Sequence, residues 1–151
     1  MSLISKILPP ENILLDAESA SKKRVFERVG LLFENSQNIA RSQVFDSLFA
    51  REKLGSTGLG QGVAIPHGRI KNLRDAVAAF VKTDTPIPFD APDGAPVNLI
   101  FVLLVPERAT DLHLQLLGEL AQMFSDAAFR ERLIANSDPN AIHKMFADWQ
   151  G

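Results

Sequence analysis

Val97-Asn98-Leu99-Ile100-Phe101-Val102-Leu103-Leu104-Val105 is an almost unbroken apolar run closed by Pro106. Branched and aromatic residues fill it without alternation, which suits a strand covered on both faces. Residues 76–81, AVAAFV, repeat that texture. Between the two runs, residues 86–96 (PIPFDAPDGAP) are turn chemistry. Upstream, Leu3, Ile4, Ile7 and Leu8 precede a Pro9-Pro10 break, and Ile13, Leu14 and Leu15 read as a brief strand. Ser19 and Ser21 offer N-caps for a helix over 21–35, whose stripe is Val25, Phe26, Val29, Leu32 and Phe33. A second helix over 41–53 carries Val44, Phe45, Leu48 and Phe49, with Gly55 as its C′ residue. Val63-Ala64-Ile65 reads as a short strand stopped by Pro66, and helices are expected over 110–124, 126–135 and 139–148. Helices precede and follow the strands, and strict βαβ alternation is missing. The pattern predicts an α/β fold with a mixed central β-sheet flanked by helices on both faces.

With 151 residues, 46% hydrophobic and 23% charged, the chain suits one domain spanning 1–151. Lys and Arg number 16 against 18 Asp and Glu, for a net charge of −2. That balance argues against nucleic acid as a partner. The sequence has no cysteine, which removes disulfides, thiolate metal sites and thiol nucleophiles. The longest wholly apolar run, Leu99 to Val105, is seven residues, far short of the roughly 20 that span a bilayer. A cytoplasmic protein without membrane insertion is expected.

The chemistry must therefore rest on histidine and charged side chains. His67 stands in Ile65-Pro66-His67-Gly68-Arg69 behind a loop, residues 55–62 (GSTGLGQG), with four glycines in eight positions. Proline stiffens the backbone before the histidine, and Gly68 lets the chain depart freely after it. The loop lacks the Gly-Lys-Ser/Thr ending of a nucleotide-binding loop and fails G-x-G-x-x-G because position 63 is Val. His113 falls in the first turn of the helix after the long strand, where free N–H groups and the helix dipole favour an anion. It nears His67 if the strands leading to the two are neighbours. It also shares a stripe with Leu116, Leu117 and Leu120, the pattern of a core histidine. His143, beside Met145 and Phe146, reads as a structural residue. Arg51, ahead of the loop, has a guanidinium suited to phosphoryl oxygens.

Taken together, residues 51–69, REKLGSTGLGQGVAIPHGR, resemble the phosphorylation-site signature of the fructose, mannitol and nitrogen group of phosphotransferase-system IIA domains. The resemblance extends over nearly the whole chain and implies the sandwich fold of that group. It places the phosphoryl-accepting histidine on His67, the second active-site histidine on His113 and the family arginine on Arg51. Gln61 stands where sugar-transporting relatives generally have a glutamate, and with the opening LISKILPPENILLD it resembles the nitrogen-regulatory branch. The implied function is a phosphoryl relay: His67 accepts a phosphoryl group from the phosphohistidine of an HPr-like carrier, and the modification state regulates nitrogen- and potassium-related protein targets. Arg51 and His113 would hold the phosphoryl oxygens, with Ser56, Thr57 and Gln61 as further phosphate-binding candidates. No metal, nucleotide or other cofactor is called for, because the donor is already activated.

Three other readings compete. One is a sugar-pathway IIA component that passes phosphate to a IIB domain, and another is a binding module in which His67 is never modified. The third is a metal hydrolase, disfavoured because Asp111 and His113 are two apart and no His-x-x-x-His pair exists.

Overall fold

A computed structural model describes residues 3–108 and 110–149. The chain opens with α1 (Leu3–Ile7), a 3-10 turn (Pro10–Asn12) and β1 (Ile13–Ala17), followed by α2 (Lys22–Gln37) and α3 (Arg41–Glu52). Next come β2 (Gly58–Gly60), β3 (Val63–Ala64), β4 (His67–Ile70), β5 (Val77–Ile87) and β6 (Val97–Pro106), and then α4 (Thr110–Ser125), α5 (Ala127–Ala135) and α6 (Pro139–Asp148). The strands form one mixed sheet in the order β1-β5-β6-β3-β2, with β4 also paired to β6. β5 and β6 are antiparallel, while β1 lies parallel to β5, and β3 and β4 lie parallel to β6.

The two apolar runs are the central strands, and each is buried on both faces. Successive residues alternate between two cores, as the two-residue period of a strand requires. Phe80, Phe101, Leu103 and Val105 face α1, α4, α5 and α6, where Leu116, Leu120, Phe124, Phe129 and Phe146 receive them. Ala79, Val81, Val102 and Leu104 face α2 and α3, against Phe26, Phe33, Val44 and Leu48. Aromatic rings interlock on the first face, with Phe129 and Phe146 5.3 Å apart and edge-on. Lys82, buried in β5, donates to the carbonyls of Leu133, Ile134 and Asn136 and so closes the end of α5.

The architecture is the mixed, doubly covered sheet expected from the sequence. Four local differences have physical reasons. The apolar opening forms a short helix whose Ile4 packs into the first core. β5 continues through Pro86 to the buried Ile87, because the ladder with β6 resumes at Ile87 opposite Val97 after an irregularity beyond Lys82. Gly55 lies one residue beyond C′: α3 closes on Lys53, and Gly55 takes a φ of 149° after the turn. The strand of residues 63–65 is only interrupted at Pro66, since β4 takes it up again along the same edge of β6.

Gly68 serves a different purpose from the free chain exit expected of it. A β-carbon there would collide with Ser47 of α3, whose hydroxyl donates to the Arg69 carbonyl at 3.1 Å. The glycine lets α3 lie directly on β4. Gly68→Ala is therefore expected to lower unfolding free energy by about 1–3 kcal/mol, the range for overpacking a close contact. Urea denaturation checks this, and wild-type stability would show that α3 yields freely.

Candidate functional site

The site forms where β4 begins. β3 pairs Val63 with Leu99 and Ala64 with Ile100, and β4 pairs His67 with Leu103 in the same register. Between them, Pro66 supplies no amide hydrogen, but its carbonyl accepts from Leu103 N and keeps the edge attached. The Ile65 carbonyl turns to the His67 ring, with Nδ1 2.8 Å from it. From α3, Arg51 Nε donates to His67 Nε2 at 3.2 Å. Arg51 is steadied in turn by Nη1 donating to the Gly55 carbonyl at 2.8 Å.

Those partners fix the tautomer. A carbonyl oxygen can only accept, so Nδ1 carries the hydrogen; guanidinium nitrogen can only donate, so Nε2 presents its lone pair. The half-buried imidazole is thus neutral, and its nucleophilic nitrogen is aimed at the rim beside Arg51. Burial is the largest cause holding the His67 pKa below its ordinary value, and Arg51 adds to it. The bond to Ile65 and the charge of Glu52 oppose the shift.

His113 arrives from the opposite layer. Because β4 and β6 are neighbours, the first turn of α4 brings its ring to 5.0 Å from the His67 ring, centroid to centroid, with planes at 67°. Its Nε2 is buried without a hydrogen-bond partner, so its hydrogen-bonding capacity is unused. Its pKa too is lowered, first by burial and then by His67, Arg69 and Arg51. Leu114 next to it is 67% exposed, and Leu54, just beyond α3, is 84% exposed.

His67, His113 and Arg51 are thereby gathered. The other three candidates are not. Ser56 Oγ donates to the Phe89 carbonyl at 2.6 Å and accepts from Gly58 N. The buried Thr57 hydroxyl donates to Glu52 at 2.6 Å. Both hydroxyls fold the loop and neither meets His67. Gln61 occupies the β2–β3 turn with φ 59° and donates its backbone N–H to Asp93. It borders a groove with Ala121, Phe124 and Ser125, at the far end of α4 from His113. Gly62, its neighbour, meets β6 at Leu99 while His67 meets it at Leu103, a separation of about 13 Å at the rise of a strand.

Two participants carried no signal in the sequence. The Ile65 carbonyl is a backbone group on the side of the strand away from β6, where Ile65 N pairs with the Thr57 carbonyl, and the Glu52 partner Lys22 is 30 residues away in the chain. Among the described residues, no three His, Asp or Glu side chains are grouped as metal ligands would be. Also among them, no helix is long and apolar enough to cross a membrane.

Residues 6–149 match the family model for the phosphoenolpyruvate-dependent sugar phosphotransferase system, EIIA 2. A nitrogen regulatory protein of Pseudomonas aeruginosa is 42% identical over 151 residues, covering 99% of this chain and 98% of the relative. The crystal structure of nitrogen regulatory protein IIA-Ntr from Neisseria meningitidis superposes with a TM-score of 0.91 at 54% identity, over 95% of this chain and 99% of that one. The mannitol IIA protein of Escherichia coli shares the fold at 21% identity, with a TM-score of 0.77 over 91% of this chain and 96% of its own.

Ring-proton NMR is expected to show His67 and His113 protonating below the ordinary value of 6.5. Arg51→Gln should move the His67 midpoint upward, since the guanidinium is one cause of the lowering. The unfolded chain takes up these protons first as pH falls. Both groups therefore contribute stability that is present above about 6.5 and is lost as pH drops from there toward their folded values. A His67 midpoint at or above 6.5 would contradict the buried neutral ring.

Proposed function

Because the chain belongs to the phosphotransferase-system EIIA 2 family, we propose that it is a phosphoryl relay and regulatory protein in which His67 Nε2 accepts a phosphoryl group from the phosphohistidine of an HPr-like carrier. The observation that carries this reading is the tautomer. Nδ1–H is engaged with the Ile65 carbonyl, and Nε2 is left with a lone pair that accepts from Arg51 Nε.

In the transfer, the Nε2 lone pair attacks phosphorus while the donor's P–N bond breaks and leaves its electron pair on the donor imidazole. His67 keeps its Nδ1 hydrogen throughout, so no proton needs to cross. The ring gains positive character as the N–P bond forms, and the Ile65 carbonyl stabilises it. Arg51 must give up Nε2, and its N–H groups then face the incoming oxygens, where a planar guanidinium pairs well with phosphoryl. His113, with an unpartnered Nε2 beside the reacting ring and a place in the first turn of α4, stabilises the same oxygens. Phosphoryl transfer of this kind depends mostly on positioning and charge stabilisation, and these three residues supply both.

The loaded protein carries a new dianion at a rim bordered by Leu54 and Leu114. A partner that contacts this rim meets two different surfaces, apolar with a neutral imidazole or apolar with a phosphoryl group. That difference is what a regulatory target can read. The nitrogen- and potassium-related targets suggested by the sequence resemblance belong to this reading.

Intact mass spectrometry after incubation with phosphoenolpyruvate, the general phosphotransferase enzyme and an HPr-like carrier tests it. Wild type should gain one acid-labile phosphoryl group, and His67→Ala should gain none. Arg51→Gln and His113→Ala should load roughly a hundredfold more slowly, the scale of losing one preorganised charge-stabilising group. Nitrogen-15 NMR should place the phosphoryl on Nε2. Undiminished loading of His67→Ala would end the proposal.

A further inference from the structure

Among the described residues, Glu52 is the only carboxylate in the buried class, and the mechanism above gives it no task. It follows Arg51 at the end of α3, with its side chain 4% exposed. Lys22 Nζ donates to Oε2 at 2.8 Å, and the Thr57 hydroxyl donates to Oε1 at 2.6 Å. Thr57 N lies 3.1 Å from one carboxylate oxygen and 3.3 Å from the other. Lys22 reaches in from the start of α2, lies over the Phe89 ring at 4.7 Å and is 3.6 Å from the exposed Asp90.

The consequence for His67 is geometric. Glu52 and Thr57 close a short loop whose ends are clipped together, and Gly55 is inside it. The Gly55 carbonyl holds Arg51 Nη1, and the same guanidinium presents Nε to His67 Nε2. Arg51 is held by one hydrogen bond to Gly55 and gives one to His67, and the short backbone joins Gly55 to the clip, so slack at the clip is passed on to Arg51.

There is also an electrostatic consequence. Arg51, His113 and the start of α4 all favour a bound phosphoryl dianion. A relay has to release what it accepts, which requires something that opposes that preference. We propose that Glu52 is a positioning residue that does both: it aims Arg51 through the clip to Thr57, and its buried negative charge weakens the hold of the site on the phosphoryl group so that transfer stays reversible. The inference rests on the relay reading of His67.

Glu52→Gln keeps an oxygen for Thr57 and removes the charge, whereas Thr57→Val keeps the charge and removes the side-chain half of the clip. The readout is the equilibrium ratio of loaded to free protein at fixed ratios of phosphorylated to free HPr-like carrier, with loading rates measured alongside. Glu52→Gln is expected to shift the equilibrium constant about tenfold toward the loaded form, the size of one pKa unit of charge interaction. Thr57→Val is expected to slow loading about tenfold and to shift the equilibrium toward the free form, opposite to Glu52→Gln, because a misaimed guanidinium holds the phosphoryl oxygens less well. Lys22→Gln unmasks the carboxylate and should move the equilibrium several-fold the other way; it decides the matter if Glu52→Gln fails to fold in a thermal melt. Loading of wild type with the equilibrium unmoved in these charge variants would overturn this inference alone. Failure of wild type to load with an active donor would overturn the relay reading with it.

Discussion

The parallel pairing of β4 with β6 is the constraint on which the site depends. It sets His67 opposite Leu103 in a strand buried on both faces, so the backbone beneath the imidazole is as fixed as the core. β6 then leads into α4, and the first turn of α4 carries His113 back to the same spot. Pro66 interrupts the edge without detaching it, because Leu103 N is satisfied by the Pro66 carbonyl while Ile65 faces the other way, its N–H pairing with the Thr57 carbonyl. The Ile65 carbonyl, on the side away from β6, is the acceptor for Nδ1. One backbone acceptor two residues upstream thus sets the tautomer of the ring.

The third member of the site comes through the other layer. α3 reaches β4 closely only because residue 68 has no side chain, and Ser47 fills the space. Arg51 is one turn further along the same helix, so the close approach of helix to strand is what gives its guanidinium the reach to Nε2. The two cores therefore meet at the site: the aromatic-rich face supports α4 and His113, and the face under α2 and α3 supports Arg51. A disturbance on either face changes the distance between groups that belong to different layers.

The parts of this arrangement that follow from periodicity were legible in the sequence. The unalternating run 97–105 specified a strand covered twice, and the apolar stripes of α2, α3 and α4 specified which faces are buried. Arg51 and His67 lie in one long local signature, in which backbone turns and side-chain types are both fixed, and His113 was placed by the resemblance beyond it; the structure brings the three together. What escaped was the use of side chains whose partners are remote in sequence. Ser56 finds the Phe89 carbonyl and Glu52 finds Lys22, across 33 and 30 residues respectively. A hydroxyl next to a glycine loop has the same appearance in sequence whether it faces a ligand or folds the loop. Gln61 shows the same limit, since its distance from His67 is set by the direction of β3, and six positions of extended chain move a residue far from the imidazole. Gly68 could be read as permissive in conformation, while its φ lies outside the positive range and its importance is the space it leaves to α3.

The electrostatics of the site follow from the same layering. A histidine buried beside a guanidinium is pushed toward neutrality, and neutrality is the state in which an imidazole is nucleophilic. Full burial would close the ring to a protein partner, whereas full exposure would let water compete for Nε2 and return the pKa to its ordinary value. The half-buried position at the start of β4 lies between these limits: the Nδ1 side is enclosed by backbone and the Nε2 side opens to the rim with Arg51. The negative charge of Glu52 raises the pKa of His67 while Arg51 lowers it, so two adjacent residues of one helix act on the imidazole in opposite senses. In the proposed relay, that opposition is what would separate a group poised to exchange a phosphoryl group from one that merely binds it. It depends on the end of α3 being fixed in space, which the contact of Ser47 with Gly68 and Arg69 secures.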